Sequence, residues 1–446
     1  MHIAVVGLGY VGLVTAACLA RLGQTVRGLE SDAPKVAALR DGRAPFFEPG
    51  LQGALAEGAE RLTFTTDAAA ALDGVDLVLI CVGTPSRASG EADLSAVSAV
   101  ADAVADHIRS ATVVALRSTV PVGTTELIEK RLNDRLRSRG WTEQVPVIAN
   151  PEFLRTGRAL DDFLRPSRVV LGRTQLATDG QIQLLETLYR PLDAPIFVLD
   201  ARSAELVKNA ANTYLATRIS FVNELASLCE ATGASVTAVL DGIAADPRIG
   251  SEYLRPGLGY GGSCLPKDVR SIIAQGEHYG ESMPLARAVD EVNQRQAALA
   301  AERLSTMLNQ PLDGARIALL GLAFKPDTDD IRDSPSITLA RALATRGATV
   351  VGCDPEASGG VAEQEPWIEL VESPLEAARG ADAVVLATEW PAYVTLDFDA
   401  MARVMRGDVL FDGRNALDQD RVEAAALRYG SVGTGSRRSP GSPPLA

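Results

Sequence analysis

The decapeptide Gly259-Tyr260-Gly261-Gly262-Ser263-Cys264-Leu265-Pro266-Lys267-Asp268 brings a thiol, an amine and a carboxylate into one short stretch. Pro266 suits the first turn of a helix, so Cys264 is expected at or just before a helix N-terminus, beside Lys267. Both neighbours lower a thiol pKa and favour the nucleophilic thiolate. Cys264 and Asp268 stand at i and i+4, which on a helix puts them on one face. A nucleophile with a carboxylate beside it fits covalent catalysis with a proton acceptor to hand. The glycines let backbone approach a ligand closely. A buried structural cysteine in a tight turn is the competing explanation, but a core cysteine gains nothing from this setting.

Lys208 and Asn212 have the same i, i+4 spacing, and Lys208 is followed by Ala210 and Ala211. A lysine desolvated in that way can act as an acid/base or stabilise an oxyanion. A solvated helix face explains this stretch equally well. Asn150-Pro151-Glu152-Phe153-Leu154-Arg155 follows a strand ending at Ala149, so Glu152 sits at a strand's carboxyl end. Arg165 and Arg168 add positive charge nearby for an anionic group.

Gly7, Gly9 and Gly12, around Tyr10 and Val11, form G-x-G-x-x-G between the strand Ile3–Val6 and an Ala/Leu helix from Leu13. The three glycines serve a tight turn, close approach of backbone to a pyrophosphate, and helix–strand packing. The helix N-terminus offers free N–H groups to the phosphates. The second strand, Thr25–Leu29, ends at Glu30. A carboxylate there accepts from both ribose hydroxyls of NAD and repels the 2′-phosphate of NADP. Lys35 lies close enough in sequence to reach the adenosine phosphates. Thr84 and Thr119 each follow an apolar strand, at the edge where open α/β sheets bind ligands.

The elements that must position these residues are legible as well. Apolar runs of strand length, Ile3–Val6, Leu77–Val82, Val113–Leu116, Val145–Ala149 and Arg168–Leu171, alternate with helical segments. Asp200–Thr232 contains no Gly or Pro and is closed by Gly233, which predicts one long helix. The rhythm then restarts with strands at Arg316–Leu320, Thr349–Cys353 and Asp382–Thr388 and a helix at Ser336–Arg346. The expectation is an α/β protein with two Rossmann-like, doubly wound domains joined by a long central helix. Gly321–Ser334 takes the phosphate-loop place of the second half but lacks G-x-G-x-x-G, so no second dinucleotide is expected there. Lys325 and Arg332 could face a diphosphate from it. Gly430–Ala446 is Gly, Ser, Pro and Arg with little to bury, and is expected to be a disordered tail.

Composition narrows the partners. At about 100–200 residues per domain, the 446 residues make two to four domains. A net charge of −14, with 43 basic against 57 acidic residues, argues against nucleic acid as the partner. Five cysteines are not a disulfide framework, and Cys18, Cys81, Cys229 and Cys353 fit as small core hydrophobes. His2, His107 and His278 have no metal-ligand spacing, so no metal is expected. No run approaches the roughly 18 apolar residues of a membrane span, and no signal-peptide pattern precedes the first strand. A cytoplasmic protein without membrane partners is the expectation.

In this order the motifs resemble the UDP-glucose/GDP-mannose dehydrogenase family, from Met1 to about residue 420. The resemblance is carried by Gly7–Gly12, Thr119–Gly123, Asn150–Arg155, Gly259–Asp268 and Gly321–Ser334. It implies residues 1–200 as the NAD-binding domain, 201–305 as a helical dimerisation domain, and 306–430 as the nucleotide-sugar domain, before the tail at 431–446. It also implies a four-electron reaction: the sugar C6 hydroxyl is oxidised to an aldehyde, Cys264 forms a thiohemiacetal and then a thioester, and water releases the acid. Lys208 and Asn212 would steady the oxyanion, Asp268 would be the acid/base beside Cys264, and Glu152 would assist hydrolysis. Thr119 would position water or the nicotinamide.

Gly7, Gly9, Tyr10, Val11, Gly12, Glu30, Lys35, Thr84, Thr119, Lys267 and Arg332 match cofactor positions. Glu152, Phe153, Leu154, Arg155, Thr156, Lys208, Asn212, Tyr253, Leu254, Arg255, Gly257, Gly261 and Lys325 match substrate positions. Arg248 resembles an arginine that reaches the partner subunit's substrate site, which implies a homodimer. Thr156 stands where the family often has a second Glu, which leaves that position's role open. The stretch from Asp246 to Leu254 resembles the branch that uses UDP-glucose; GDP-mannose and UDP-N-acetylhexosamines are the alternatives within the family. Outside it stand a two-electron hydroxy-acid dehydrogenase, which needs no cysteine nucleophile, and an NAD sensor, which need not keep Lys208, Asn212, Cys264 and Asp268.

Overall fold

A computed structural model describes residues 1–434. The chain is α/β and falls into two compact units: Met1–Ala211 with Arg270–Ser282, and Asn212–Val269 with the chain from Met283 onward. In the first unit, strands β1 (His2–Val6), β2 (Thr25–Leu29), β3 (Leu62–Thr65), β4 (Leu77–Ile80), β5 (Val113–Leu116), β6 (Val147–Ala149), β7 (Val169–Arg173) and β8 (Ile196–Asp200) form one sheet. Their spatial order is β3-β2-β1-β4-β5-β6-β7-β8, parallel except where β6 meets β7. The order reverses between β1 and β4, the place where a doubly wound sheet opens a crevice for ligand. β4, β5 and β1 from Ile3 onward are apolar and buried because helices cover both faces.

Helix α1 (Tyr10–Arg21) follows β1. It begins at Tyr10 rather than at Leu13, because Gly9 already accepts the first helical bond, from Leu13 N at 2.9 Å. Gly12 through Ala20 are buried, as befits a helix apolar on nearly every side.

The long helix α2 (Ala201–Thr232) ends at Gly233, whose φ of +77° and bond to the Cys229 carbonyl stop it as expected. It links the two halves of the chain. Its N-terminal end lies close against the first sheet, since a Cβ at Gly172 of β7 would sit 2.5 Å from Ala204 Cβ. Helix α3 (Leu265–His278) starts directly after Cys264 and is followed by α4 (Pro284–Leu308).

The second sheet comprises β9 (Arg316–Leu320), β10 (Thr349–Cys353), β11 (Glu369–Leu370), β12 (Ala383–Leu386), β13 (Val409–Asp412) and β14 (Arg428–Ser431), with α5 (Pro335–Ala344) between β9 and β10. Its order, β11-β10-β9-β12-β13-β14, repeats that of β3-β2-β1-β4-β5-β6, and every pairing is parallel. The runs Leu77–Val82 and Asp382–Thr388 outlast their strands because the loops beyond remain buried, as Cys81 and Ala387 show.

The tail requires a correction. Gly430 and Ser431 belong to β14, which pairs with β13 from Val409↔Arg428 to Asp412↔Ser431. Val432 is buried, and Gly433 N donates to Glu230 Oε1 at 2.7 Å. Strand pairing uses backbone groups and does not need apolar side chains. Gly430 is a packing residue, because a Cβ there would lie 2.5 Å from Met307 Sδ. The remaining tail, 435–446, lies outside the described residues.

Candidate active site

In the first unit the glycine loop sorts into fold and ligand requirements. Gly7 has φ +88°, and a Cβ on it would meet Val82 Cγ1 at 2.7 Å. At Gly12 a Cβ would lie 1.8 Å from the Gly7 carbonyl oxygen. Gly9 is different: its φ is −68°, and a Cβ there meets nothing within 4 Å. The chain itself has no need of glycine at that position, which faces open space at the α1 N-terminus. That opening, with no acidic residue in the first turn of α1, fits the diphosphate of a dinucleotide. Gly9→Ala is therefore expected to keep the wild-type Tm while raising KM for NAD roughly tenfold or more. Gly12→Ala is expected to lower stability as well, by about 1–3 kcal/mol from overpacking. Thermal melts and NAD titrations of the two variants check this.

Glu30 follows β2 and is well ordered by its neighbours. It accepts from Leu8 N at 3.1 Å, Ser31 N at 2.8 Å and Lys35 Nζ at 3.1 Å. Burial pushes its carboxyl up, but Lys35 and the amides of Asp32 and Leu8 outweigh that and hold it below the usual carboxylate range. Lys35 is thus engaged with Glu30 itself. Thr84 Oγ1 donates to the Thr119 carbonyl at 2.7 Å, which ties together the loops after β4 and β5.

Glu48 was missed by sequence reasoning. It is buried and accepts from the Tyr10 hydroxyl, from Gly157 N at 2.6 Å and from Ala159 N at 2.8 Å. Thr156 also hydrogen-bonds the Tyr10 hydroxyl, whose pKa is raised by burial and by Glu48. An acid between aromatics and a Pro-Gly turn, Phe46-Phe47-Glu48-Pro49-Gly50, was the available signal.

The loop after β6 brings Glu152 to Lys208 of α2. Their ion pair measures 3.1 Å, with side chains only 5% and 4% exposed. Lys208 is therefore desolvated and not on a solvated helix face. Two cations lie near the Phe153 ring, the Arg168 guanidinium at 3.8 Å and Lys208 Nζ at 5.5 Å from its centroid. Burial pushes the Arg168 pKa down. Arg155 is exposed and pairs with Asp162, while Leu154 N donates to Glu152.

In the second unit Cys264 is half-buried and caps α3, its carbonyl accepting from Asp268 N at 2.9 Å. Asp268 is fully buried; it accepts from Lys267 Nζ and from Asn212 Nδ2, both at 2.6 Å. Lys267 is thereby paired with Asp268, and the Arg332 guanidinium interacts electrostatically with Cys264. Arg332 also pairs with Asp330 at 2.6 Å, which raises its pKa. Lys325 Nζ stands 5.4 Å from the Phe324 ring centroid.

The glycines before Cys264 are each required by the packing of their own unit. A Cβ on Gly259 would meet Asn293 Oδ1 at 2.5 Å, on Gly261 the Asp333 carbonyl at 2.2 Å, and on Gly262 the Phe324 ring at 2.7 Å. They let the loop before Cys264 close onto its own unit. Gly257 does the same against Gly413, and its N–H donates to Asn223. Tyr253 holds φ +59°, Leu254 is buried and Arg255 is exposed. Arg248 pairs with Asp246 at 2.6 Å on the surface.

Arg414, just past β13, was also missed; it donates to the carbonyls of Ala387, Phe324 and Gly259 and so joins three loops at the strand ends. Asp354 takes the place in this sheet that Glu30 takes in the first. It already accepts from Leu322 N, Ala323 N, Glu356 N, Ala357 N and Trp390 Nε1, which leaves it little capacity for a ribose.

A doubly wound sheet with this glycine turn and an acid closing its second strand defines an NAD-binding enzyme fold. Residues 1–193 match the NAD-binding domain, 202–295 the central domain and 318–419 the UDP-binding domain of the UDP-glucose/GDP-mannose dehydrogenase family. The chain belongs to that family. It is 43% identical over 441 residues, 97% of each chain, to UDP-glucose 6-dehydrogenase of Pseudomonas aeruginosa. Among solved structures it resembles a UDP-glucose dehydrogenase from Pyrobaculum islandicum, with TM-score 0.89, 38% identity and 98% of each chain covered. A UDP-D-ManNAc dehydrogenase from Pyrococcus horikoshii follows, with TM-score 0.85, 30% identity, and 98% of this chain and 100% of that one covered.

Proposed function

We propose that the protein oxidises C6 of UDP-glucose to the carboxylate of UDP-glucuronate. The observation that carries this is the set Cys264, Asp268 and Asn212, in the unit whose residues 318–419 match the UDP-binding domain. NAD⁺, when bound at the Gly9 opening, supplies the hydride acceptor for each of two oxidations. Between them Cys264 Sγ adds to the aldehyde carbon, with Asp268 receiving the thiol proton, and a thiohemiacetal results. Lys208 and Asn212 donate to the oxygen on C6 as it gains negative charge. Loss of the second hydride leaves a thioester on Cys264. Water then attacks, Glu152 takes its proton, and the thiol departs with the acid released. Thr119 orients the water or the nicotinamide, and Glu30 with Lys35 selects NAD.

Residues 1–200 serve the cofactor, 201–305 association, and 306–430 the nucleotide sugar. A homodimer is favoured by Tyr214, Phe221 and Leu228, which recur every seventh residue on α2 with 63%, 55% and 58% exposure. Exposed Arg248 then serves the partner subunit's substrate site. A cytoplasmic location suits a chain whose five cysteines are all free and whose thiol must stay reduced. Among the described residues no helix is long and apolar enough to cross a membrane.

The test is the NADH formed per UDP-glucose consumed. Two is the expected value. One would replace this reading with a simple two-electron dehydrogenase. None, with turnover of UDP-D-ManNAc or GDP-mannose instead, would move the substrate to another branch of the family.

A further inference from the structure

We infer that Asn293 is a positioning residue for Cys264: its side-chain amide straps the Tyr260 backbone and thereby sets where the glycine loop delivers the thiol. The inference rests on Cys264 being the nucleophile. Asn293 lies on α4. Its Oδ1 accepts from Tyr260 N at 2.8 Å, and its Nδ2 donates to the Tyr260 carbonyl at 3.0 Å. One amide thus satisfies both backbone groups of one residue, as an adjacent strand would.

The loop is built around this strap. Gly259 holds φ +102°, and a Cβ on it would lie 2.5 Å from Asn293 Oδ1. Any larger residue there would push the amide off Tyr260. Downstream, Gly262 N donates to the Arg332 carbonyl at 2.9 Å, and Asp268 N to the Cys264 carbonyl at 2.9 Å. The chain is therefore held on both sides of the thiol. Between the strap and Cys264 stand Gly261, Gly262 and Ser263, so once the strap is lost the bond from Gly262 N alone anchors the backbone upstream of the thiol, at a pair of glycines that can shift readily. Reactivity is sensitive to such freedom, since a misplacement of about 1 Å can change a rate about 100-fold.

The experiment is Asn293→Ala in the full chain, treated with iodoacetamide, with the adduct mapped by mass spectrometry. The other four cysteines are buried, so Cys264 is the site that reacts first. Alkylation of Cys264 is expected to slow roughly fivefold or more, and kcat to fall roughly tenfold or more. KM for NAD should stay within about twofold, because the dinucleotide loop belongs to the other unit. Alkylation within about twofold of wild type overturns the inference, whatever happens to Tm. If the alanine variant is not recovered folded, Asn293→Asp serves. It keeps the bond from Tyr260 N but turns a second acceptor toward the Tyr260 carbonyl, so alkylation should slow again, and an unchanged rate overturns the inference. Normal turnover by Cys264→Ser would instead refute the nucleophile, a separate outcome.

Discussion

Cys264→Ser is expected to abolish acid formation, lowering the rate of UDP-glucuronate production by roughly 10⁴-fold or more. A serine hydroxyl ionises far less readily than a thiol, and its ester would be a poorer acyl intermediate than a thioester. The surroundings of Cys264 support the expectation. It caps α3, it is only half-buried, and Arg332 lies within electrostatic reach. The first hydride transfer needs no thiol, so the variant should form at most one NADH per sugar and release aldehyde. The measurement is product analysis together with NADH stoichiometry. Acid at the wild-type rate would remove Cys264 from the chemistry, and the thioester route with it.

Lys208→Ala should damage both stability and catalysis. Lys208 and Glu152 are paired at 3.1 Å with almost no exposure. Removing one partner leaves a buried carboxylate without its counter-charge, a loss of about 3–5 kcal/mol. Against a typical total of about 5–15 kcal/mol, that is a large share. The rate should fall by roughly 10³-fold, since the oxygen on C6 loses a preorganised cation. Lys208→Met combined with Glu152→Gln separates the two effects. It removes both charges, so most of the stability should return while turnover stays low. Denaturant melts and steady-state kinetics on the pair of variants check this. Recovery of turnover in the double variant would make both Lys208 and Glu152 structural only.

The parts of this chain that could be seen in advance depend on neighbours in sequence. Gly7, Gly9 and Gly12 after an apolar strand, Glu30 after the next one, and Gly233 closing a stretch without Gly or Pro are such patterns. So is the restart of the α/β rhythm at Arg316. Backbone conformation and periodic burial are local properties, and residue types report them directly. The i, i+4 pairs Lys208/Asn212 and Cys264/Asp268 were visible for the same reason.

What was not visible involves partners far apart in the chain. Nothing near Lys208 shows that Glu152 neutralises it, nor near Cys264 that Arg332 comes within electrostatic reach. Glu48, Asn293 and Arg414 each look like ordinary loop or helix residues until the backbone groups they bind are brought to them. The glycines before Cys264, and Gly430 in what looked like a tail, resemble openings or disorder in sequence, yet each admits an atom of a distant segment. The amino-acid order read alone thus specifies two doubly wound halves, a long helix, and the chemical groups available at their edges. Only the folded chain decides which of those groups are buried, paired or aimed, because desolvation and hydrogen bonding depend on what long-range packing places within a few ångströms.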